Sequence, residues 1–161
     1  MARKKKSVGG MIATFILLLV VLIIIAGAIF EILVTPSYSK IKNKYENNDN
    51  VGVVVTSGET LGIKPAVAAA ATELYVYGYQ NSSVVEDVEA FVLITNKVAK
   101  NDDTTTYTAA IIYFDSMKDA ITARDGIKDK VKEKGKVAMF RGKALVIGEK
   151  EAVLKYYAVI F

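Results

Sequence analysis

Cysteine, histidine and tryptophan are all absent from this chain of 161 residues. Without cysteine the chain can form no disulfide, and it has no thiol nucleophile and no cysteine ligand for a zinc ribbon. Without histidine it lacks the usual general base near neutral pH, and it cannot assemble a Ser–His–Asp or Cys–His catalytic set. We therefore expect a protein that is not an enzyme, with no catalytic, cofactor-binding or metal site.

The formal net charge of +4 is a local feature of the N-terminus. Arg3, Lys4, Lys5 and Lys6 carry four positive charges before residue 7, whereas from residue 35 onward 17 Lys and Arg oppose 16 Asp and Glu. A domain that binds nucleic acid needs a basic face of its own. The composition therefore predicts no nucleic-acid partner.

A run of 20 residues without charge, residues 11–30, follows the basic tail. A helix rises about 1.5 Å per residue and the apolar layer of a bilayer is about 30 Å thick, so about 20 residues are enough to cross it. We predict a transmembrane helix over residues 11–34 that acts as a signal anchor and ends before Pro36. Its membrane-anchoring side chains would be those of Met11, Phe15, Leu17, Leu18, Leu19, Val20, Val21, Leu22, Ile23, Ile24, Ile25 and Phe30.

The flanking charges predict the orientation of this helix. Four basic residues precede it in a short tail, and three follow it at Lys40, Lys42 and Lys44. Because positive residues favour the cytoplasmic side, we expect a single-pass protein of the cell membrane with its N-terminus inside. The predicted order is a cytoplasmic tail at 1–10, the anchor at 11–34, a polar connector at 35–50 and an extracytoplasmic domain at 51–161.

Two other fates of the apolar segment stay open. Ala26-Gly27-Ala28 fits a signal-peptidase site, and cleavage after Ala28 would release the domain. A basic stretch, Gly10 and a long apolar helix also loosely resemble the precursors of type IV pilins, although Phe15 stands where that family has an acidic residue. This resemblance implies a filament or assembly subunit in which the helix forms the packing core.

The C-terminal half has the clearest pattern of helices and strands. Apolar strands are predicted at residues 89–98 and 106–114 with a loop at 99–105, then a helix from the capping pair Ser116 and Asp119 to Gly135. Strands at 136–140 and 143–147, joined by a turn at Arg141-Gly142, and a helix at 149–157 complete the order β-β-α-β-β-α. This order predicts an α+β fold, a small two-layer domain with a mostly antiparallel sheet and helices on one face. The first two strands are apolar on both sides, which favours central strands covered on both faces or covered on one face by the connector.

The segment between the connector and these strands is less regular. We predict a strand at 51–56, a helix at 64–73 with Pro65 in its first turn, and a short turn at 84–88. Residues 74–79 could extend that helix or form a strand, and their contiguity with the alanine run slightly favours the helix. Within the connector, Tyr38, Ile41 and Tyr45 have helical spacing. Tyr75, Tyr77 and Tyr79 alternate along the chain and form a candidate surface for a partner.

These patterns together predict a membrane-anchored, non-enzymatic accessory or binding module. It would dock on a protein partner in the membrane or envelope through a sheet edge or an aromatic surface. The first alternative is the pilin-like assembly subunit, and the second is an enzyme that uses only carboxylates, lysine or tyrosine. The patterns leave open the identity of any partner, the oligomeric state and the order of the strands.

Overall fold

A computed structural model describes residues 8–59, 61–62, 64–100 and 103–159, with side chains on the first helix described for residues 13–26 and Ile29. The basic residues Arg3, Lys4, Lys5 and Lys6 lie outside the described residues, as do the side chains of Met11 and Phe30. The helices are α1 Val8–Leu33, α2 Tyr38–Tyr45, α3 Pro65–Tyr75, α4 Ser82–Glu86, α5 Met117–Glu133 and α6 Lys150–Tyr157. The strands are β1 Val51–Ser57, β2 Val88–Lys100, β3 Asp103–Phe114, β4 Val137–Arg141 and β5 Ala144–Gly148.

The five strands form one sheet in the order β1-β2-β3-β5-β4, and every neighbouring pair is antiparallel. This confirms the predicted α+β class, the antiparallel sheet and the C-terminal order β-β-α-β-β-α. β3 and β5 lie inside the sheet, and all five residues of β5 are buried. A strand that is apolar on both sides requires cover on both faces of its sheet.

Helices cover both faces of the sheet, so the predicted two-layer arrangement is wrong and the domain has three layers. One core lies under α2 and α6, around Val92, Ile94 and Ile111. The other lies under α3, α4 and α5, around Ile112, Phe114 and Leu145. The alternation along β3 explains this, since Ile111 and Ile112 point to opposite faces and both are fully buried.

The connector forms part of the first core. α2 begins after Ser37, whose hydroxyl accepts from the Lys40 N–H at 3.3 Å, and it buries Ile41 and Tyr45 against the sheet. The Tyr45 hydroxyl donates to the carbonyl of Lys155 in α6 at 2.7 Å. The predicted helical spacing is confirmed, and the structured domain starts near residue 35.

The predicted loop at 99–105 is wrong in most of its length. β2 and β3 stay paired as far as Lys100 and Asp103, so only residues 101 and 102 lie between the two strands. Thr104, Thr105 and Thr106 lie in β3, where β-branched side chains are favoured. The outer part of this hairpin, from Lys97 paired with Thr106 to its end, extends beyond the register of β1 and β5.

The predicted start and stop of α5 are confirmed. The N–H of Asp119 donates to the Ser116 hydroxyl at 3.2 Å, and that hydroxyl also bonds the Asp119 carboxylate. After the helix, Gly135 has a φ of +70°, a left-handed conformation that favours glycine. The turn between β4 and β5 lies at Gly142 and Lys143, one residue later than predicted, because Arg141 pairs with Ala144.

In the part of the chain that the structure describes, no helix is both long enough and apolar enough to span a membrane.

A candidate binding groove beside helix α3

The three candidate tyrosines do not share one surface. α3 ends at Tyr75, which is 68% exposed, whereas Tyr77 is only 3% exposed and Tyr79 is half-buried. The N–H of Tyr79 donates to the carbonyl of Leu74 at 3.2 Å, and Gly78 takes a φ of +77° between them. The helix continues through Leu74 and Tyr75 as predicted. The reversal replaces the predicted continuation over 76–79, and it sends successive side chains in different directions.

Tyr75 and Tyr79 instead border a groove between α3 and α4 with a volume of about 370 Å³. One wall is a stripe on α3 formed by Val67, Ala71 and Tyr75, spaced four residues apart on one helix face. The opposite wall is α4 with the loop before it, which contributes Tyr79, Gln80, Asn81, Ser82, Val85 and Glu86. Two of the three candidate tyrosines, Tyr75 and Tyr79, line this groove. The stripe on α3 has no sequence signal beyond ordinary helical spacing.

The groove continues past Val67 and Glu86 into a second depression of about 350 Å³, which Glu59 and Lys64 also line. A third depression of about 120 Å³ follows, beside Glu89 and Asp115. Four carboxylates, those of Glu59, Glu86, Glu89 and Asp115, thus line this half together with one lysine. We call the three depressions together the α3–α4 groove. It has an apolar half next to Tyr75 and an acidic half at the end of β1.

Tyr79 supports the groove from behind. Its ring lies against Gly126 of α5, where a Cβ atom would come within 2.6 Å of the ring. The Tyr79 hydroxyl is buried, and burial raises its pKa. The ring is therefore a part of the groove wall that is backed by α5.

β1 is an edge strand of the sheet and has no charged residue. The N–H of Lys97 donates to the carbonyl of Asn50 at 2.8 Å, so the backbone groups of Asn50 face β2. In an antiparallel ladder every second residue faces the partner strand. By that alternation the backbone groups of Val53 and Val55 face away from β2. An edge of this kind can pair with a strand of another chain.

A charged cluster lies at the opposite end of the same face. Lys136 Nζ is 3.3 Å from Glu149 Oε1, and Glu149 Oε2 accepts from the Thr108 N–H at 2.7 Å. Desolvation opposes ionisation of Glu149, but the bonds from Thr108 and the charge of Lys136 outweigh it, so its pKa is lowered. Desolvation raises the pKa of Glu73, which lies near Tyr77 and Lys136. None of the three depressions of the groove includes these residues, and the cluster joins α3 to β3, β4 and α6.

Among the described residues, no set of three or more Asp and Glu side chains is arranged to hold a metal ion. The acidic groups of the groove are therefore best described as a negatively charged lining.

The predicted anchor residues lie on α1. From Phe15 through Ile25 their large apolar side chains are exposed, as is Ile29. α1 reaches the domain beside β4, where the Thr35 hydroxyl accepts from the Lys143 N–H at 2.6 Å. The structure therefore does not bring the anchor residues of α1 and the groove together into one site.

No family model, curated protein or solved structure matches this chain.

Proposed function

We propose that this protein is a membrane-anchored, non-enzymatic binding module whose α3–α4 groove takes a segment of another membrane or envelope protein. The observation that carries the proposal is the groove itself, with an apolar half bordered by Tyr75 and an acidic half lined by four carboxylates. Tyrosine at a partly apolar surface is typical of protein interfaces.

The charge and shape of the groove specify the chemistry of the partner. The apolar half is suited to one or two apolar side chains, and the acidic half is suited to lysine or arginine. The partner segment would therefore carry an apolar anchor followed within a few residues by positive charge. The uncharged edge of β1 offers a second contact for an extended segment.

The anchoring part of the proposal rests on the 20 uncharged residues 11–30 and on the exposed apolar side chains of α1. The basic residues before α1 support an N-terminus on the cytoplasmic side and a domain outside. Two measurements test this part. The chain should resist extraction of membranes with alkaline carbonate, and an impermeant maleimide should label Lys97→Cys in intact cells. Release by carbonate would contradict the anchor, and protection of the cysteine would contradict the orientation.

The groove is tested by site-specific photocrosslinking of the full chain in native membranes. A photoreactive amino acid at Tyr75 should give one dominant adduct, and the same group at the exposed Leu154 on the opposite face should not. Glu86→Lys should lower the yield of that adduct, because it reverses a charge in the acidic half. Equal adduct yields at Tyr75 and Leu154 would contradict the groove as the docking site. An adduct yield at Tyr75 that Glu86→Lys leaves unchanged would contradict it as well.

The assembly-subunit alternative has a simple discriminating measurement. A mature chain that begins at Met11 supports it, because that product corresponds to cleavage after Gly10. An intact mass that retains Arg3 to Lys6 supports the anchor instead. Turnover of a substrate by the full chain, lost on substitution of Glu73 or Glu149, would favour an enzyme that uses carboxylates.

A further inference from the structure

The end of α1 is fastened to the domain within three residues. The Thr35 hydroxyl accepts from the Lys143 N–H at 2.6 Å and donates to the Arg141 carbonyl at 3.4 Å. The carbonyl of Pro36 accepts from the buried Tyr113 hydroxyl at 3.0 Å. The domain therefore holds a fixed position relative to the point where α1 ends.

From this attachment we infer that the turn between β4 and β5 lies in the headgroup layer of the membrane, with the Lys143 ammonium paired to the headgroup of an anionic phospholipid. The inference rests on the proposed anchoring of α1. With the proposed membrane segment at residues 11–34, Thr35 lies at the membrane surface. The backbone of Lys143, in direct contact with Thr35, must then lie at the same depth.

The residues around this turn fit an interfacial position. Tyr38 is 38% exposed, and its ring packs edge-on against Tyr113 at 6.0 Å. Lys40 and Lys143 are exposed, and neither forms a salt bridge among the described residues. Tyrosine is enriched where membrane helices leave the apolar layer, and a lysine near the surface is attracted to anionic headgroups.

Of the carboxylates at this end of the sheet, Glu59 and Glu89 lie on the far side of β3 from the turn. Asp115 lies next to the turn, one residue past the Phe114 N–H that donates to the Lys143 carbonyl. Glu59, Glu89 and Asp115 line the acidic half of the α3–α4 groove at the ends of β1, β2 and β3. We therefore expect the contact with headgroups at the β4–β5 turn itself, and repulsion between Glu59 or Glu89 and anionic lipid would tilt the β1–β2 side of the sheet away from the bilayer.

Lys97 provides a matched control at the far end of the molecule. It pairs with Thr106, whereas the Phe114 N–H in the same strand donates to the Lys143 carbonyl. Eight residues of strand separate these positions, a distance of about 26 Å at about 3.3 Å per residue. Both lysines are exposed, so a difference between them reports position relative to the membrane.

The test uses the full chain in nanodiscs of phosphatidylcholine alone or mixed with phosphatidylglycerol. Acetylation of Lys143 should be about fivefold slower in the anionic discs at low salt, and acetylation of Lys97 should not change. High salt should remove the difference, since it screens the surface charge. Equal rates in the two lipids would overturn the pairing with anionic phospholipid.

Depth is measured separately, because the chain has no cysteine and single-cysteine variants can be spin-labelled cleanly. A label at Lys143→Cys should collide with a water-soluble nickel chelate several-fold less often than a label at Lys97→Cys. Equal collision rates in discs that contain the chain would overturn the inference and leave the anchor intact. A chain that fails to enter the discs would instead contradict the proposed function and the inference together.

Discussion

At the residue scale, Gly126 and Tyr79 meet where α5 passes behind the α3–α4 groove. A Cβ atom on Gly126 would lie 2.6 Å from Cε2 and 2.7 Å from Cδ2 of the Tyr79 ring. The glycine is therefore required by close packing, although it lies inside a helix where glycine is unfavourable. The periodicity of α5 gave no sign of this contact, because the ring comes from a loop more than 40 residues earlier in the chain.

Gly126→Ala should destabilise the domain by about 1 kcal/mol. Overpacking lowers the free energy of unfolding by about 1–3 kcal/mol, and the better helix propensity of alanine raises it by about 1 kcal/mol. In a Tyr79→Ala background the same substitution should stabilise the domain by about 1 kcal/mol, because only the helix propensity remains. Denaturant unfolding of the four variants measures this change of sign, and the same sign in both backgrounds would contradict the packing.

Glu149 and Glu73 should affect stability with opposite dependence on pH. The pKa of Glu149 is lowered in the folded state, so its contribution to stability is complete above the carboxyl pKa of the unfolded chain and is lost as the pH falls through the folded pKa. Glu149→Gln should cost about 1 kcal/mol at pH 7, the difference between charged and neutral hydrogen bonds, and less on acidification.

The pKa of Glu73 is raised, chiefly by desolvation, so its contribution favours folding at low pH and is lost as the pH rises through the folded pKa. Glu73→Gln should therefore become more stabilising relative to the parent chain between pH 4 and pH 7. Thermal melts of both variants across this range test the pair, and parallel pH profiles would show that the assigned shifts are wrong.

At the element scale, α2 decides where the domain begins. Its inward side chains, Ile41 and Tyr45, pack in the same core as Val92 and Ile111, and it leads from the α1 attachment to β1. Helical spacing in the connector predicted the helix. It did not predict which surface the helix covers, since that depends on the sheet order and on the room left beside α6.

Ile41→Ala should destabilise the domain by about 2–5 kcal/mol, the usual range for truncating a fully buried isoleucine. Lys42→Ala, one residue later on the exposed side of the same helix, should change stability by less than about 0.5 kcal/mol. The comparison is made by denaturant unfolding of the full chain. Similar small effects from both substitutions would mean that α2 lies outside the cooperative domain.

At the scale of the whole molecule, the central strands β3 and β5 contribute to both cores. Ile111 and Val146 face α2 and α6, and Ile112 and Leu145 face α3, α4 and α5. Loss of packing on one face therefore removes support from the strands that form the other. This arrangement favours a single cooperative unit rather than two independently stable layers.

Ile111→Ala and Ile112→Ala should each cost about 2–5 kcal/mol, and each should lower one common unfolding transition of the domain. Calorimetry, together with amide exchange of α5 and α6, distinguishes the possibilities. Two transitions, or loss of protection confined to the helices on the substituted face, would contradict the single unit.

The sequence by itself determined the properties that depend on neighbouring residues. The lack of histidine and cysteine, the uncharged run at 11–30, the capping of α5 by Ser116 and the order of the C-terminal elements are all local. The tertiary structure decided the strand order, the cover on both faces, the burial of Tyr77 and the groove beside Tyr75. These depend on contacts between residues far apart in the chain, and local patterning specifies which side of an element is apolar without specifying what packs against it.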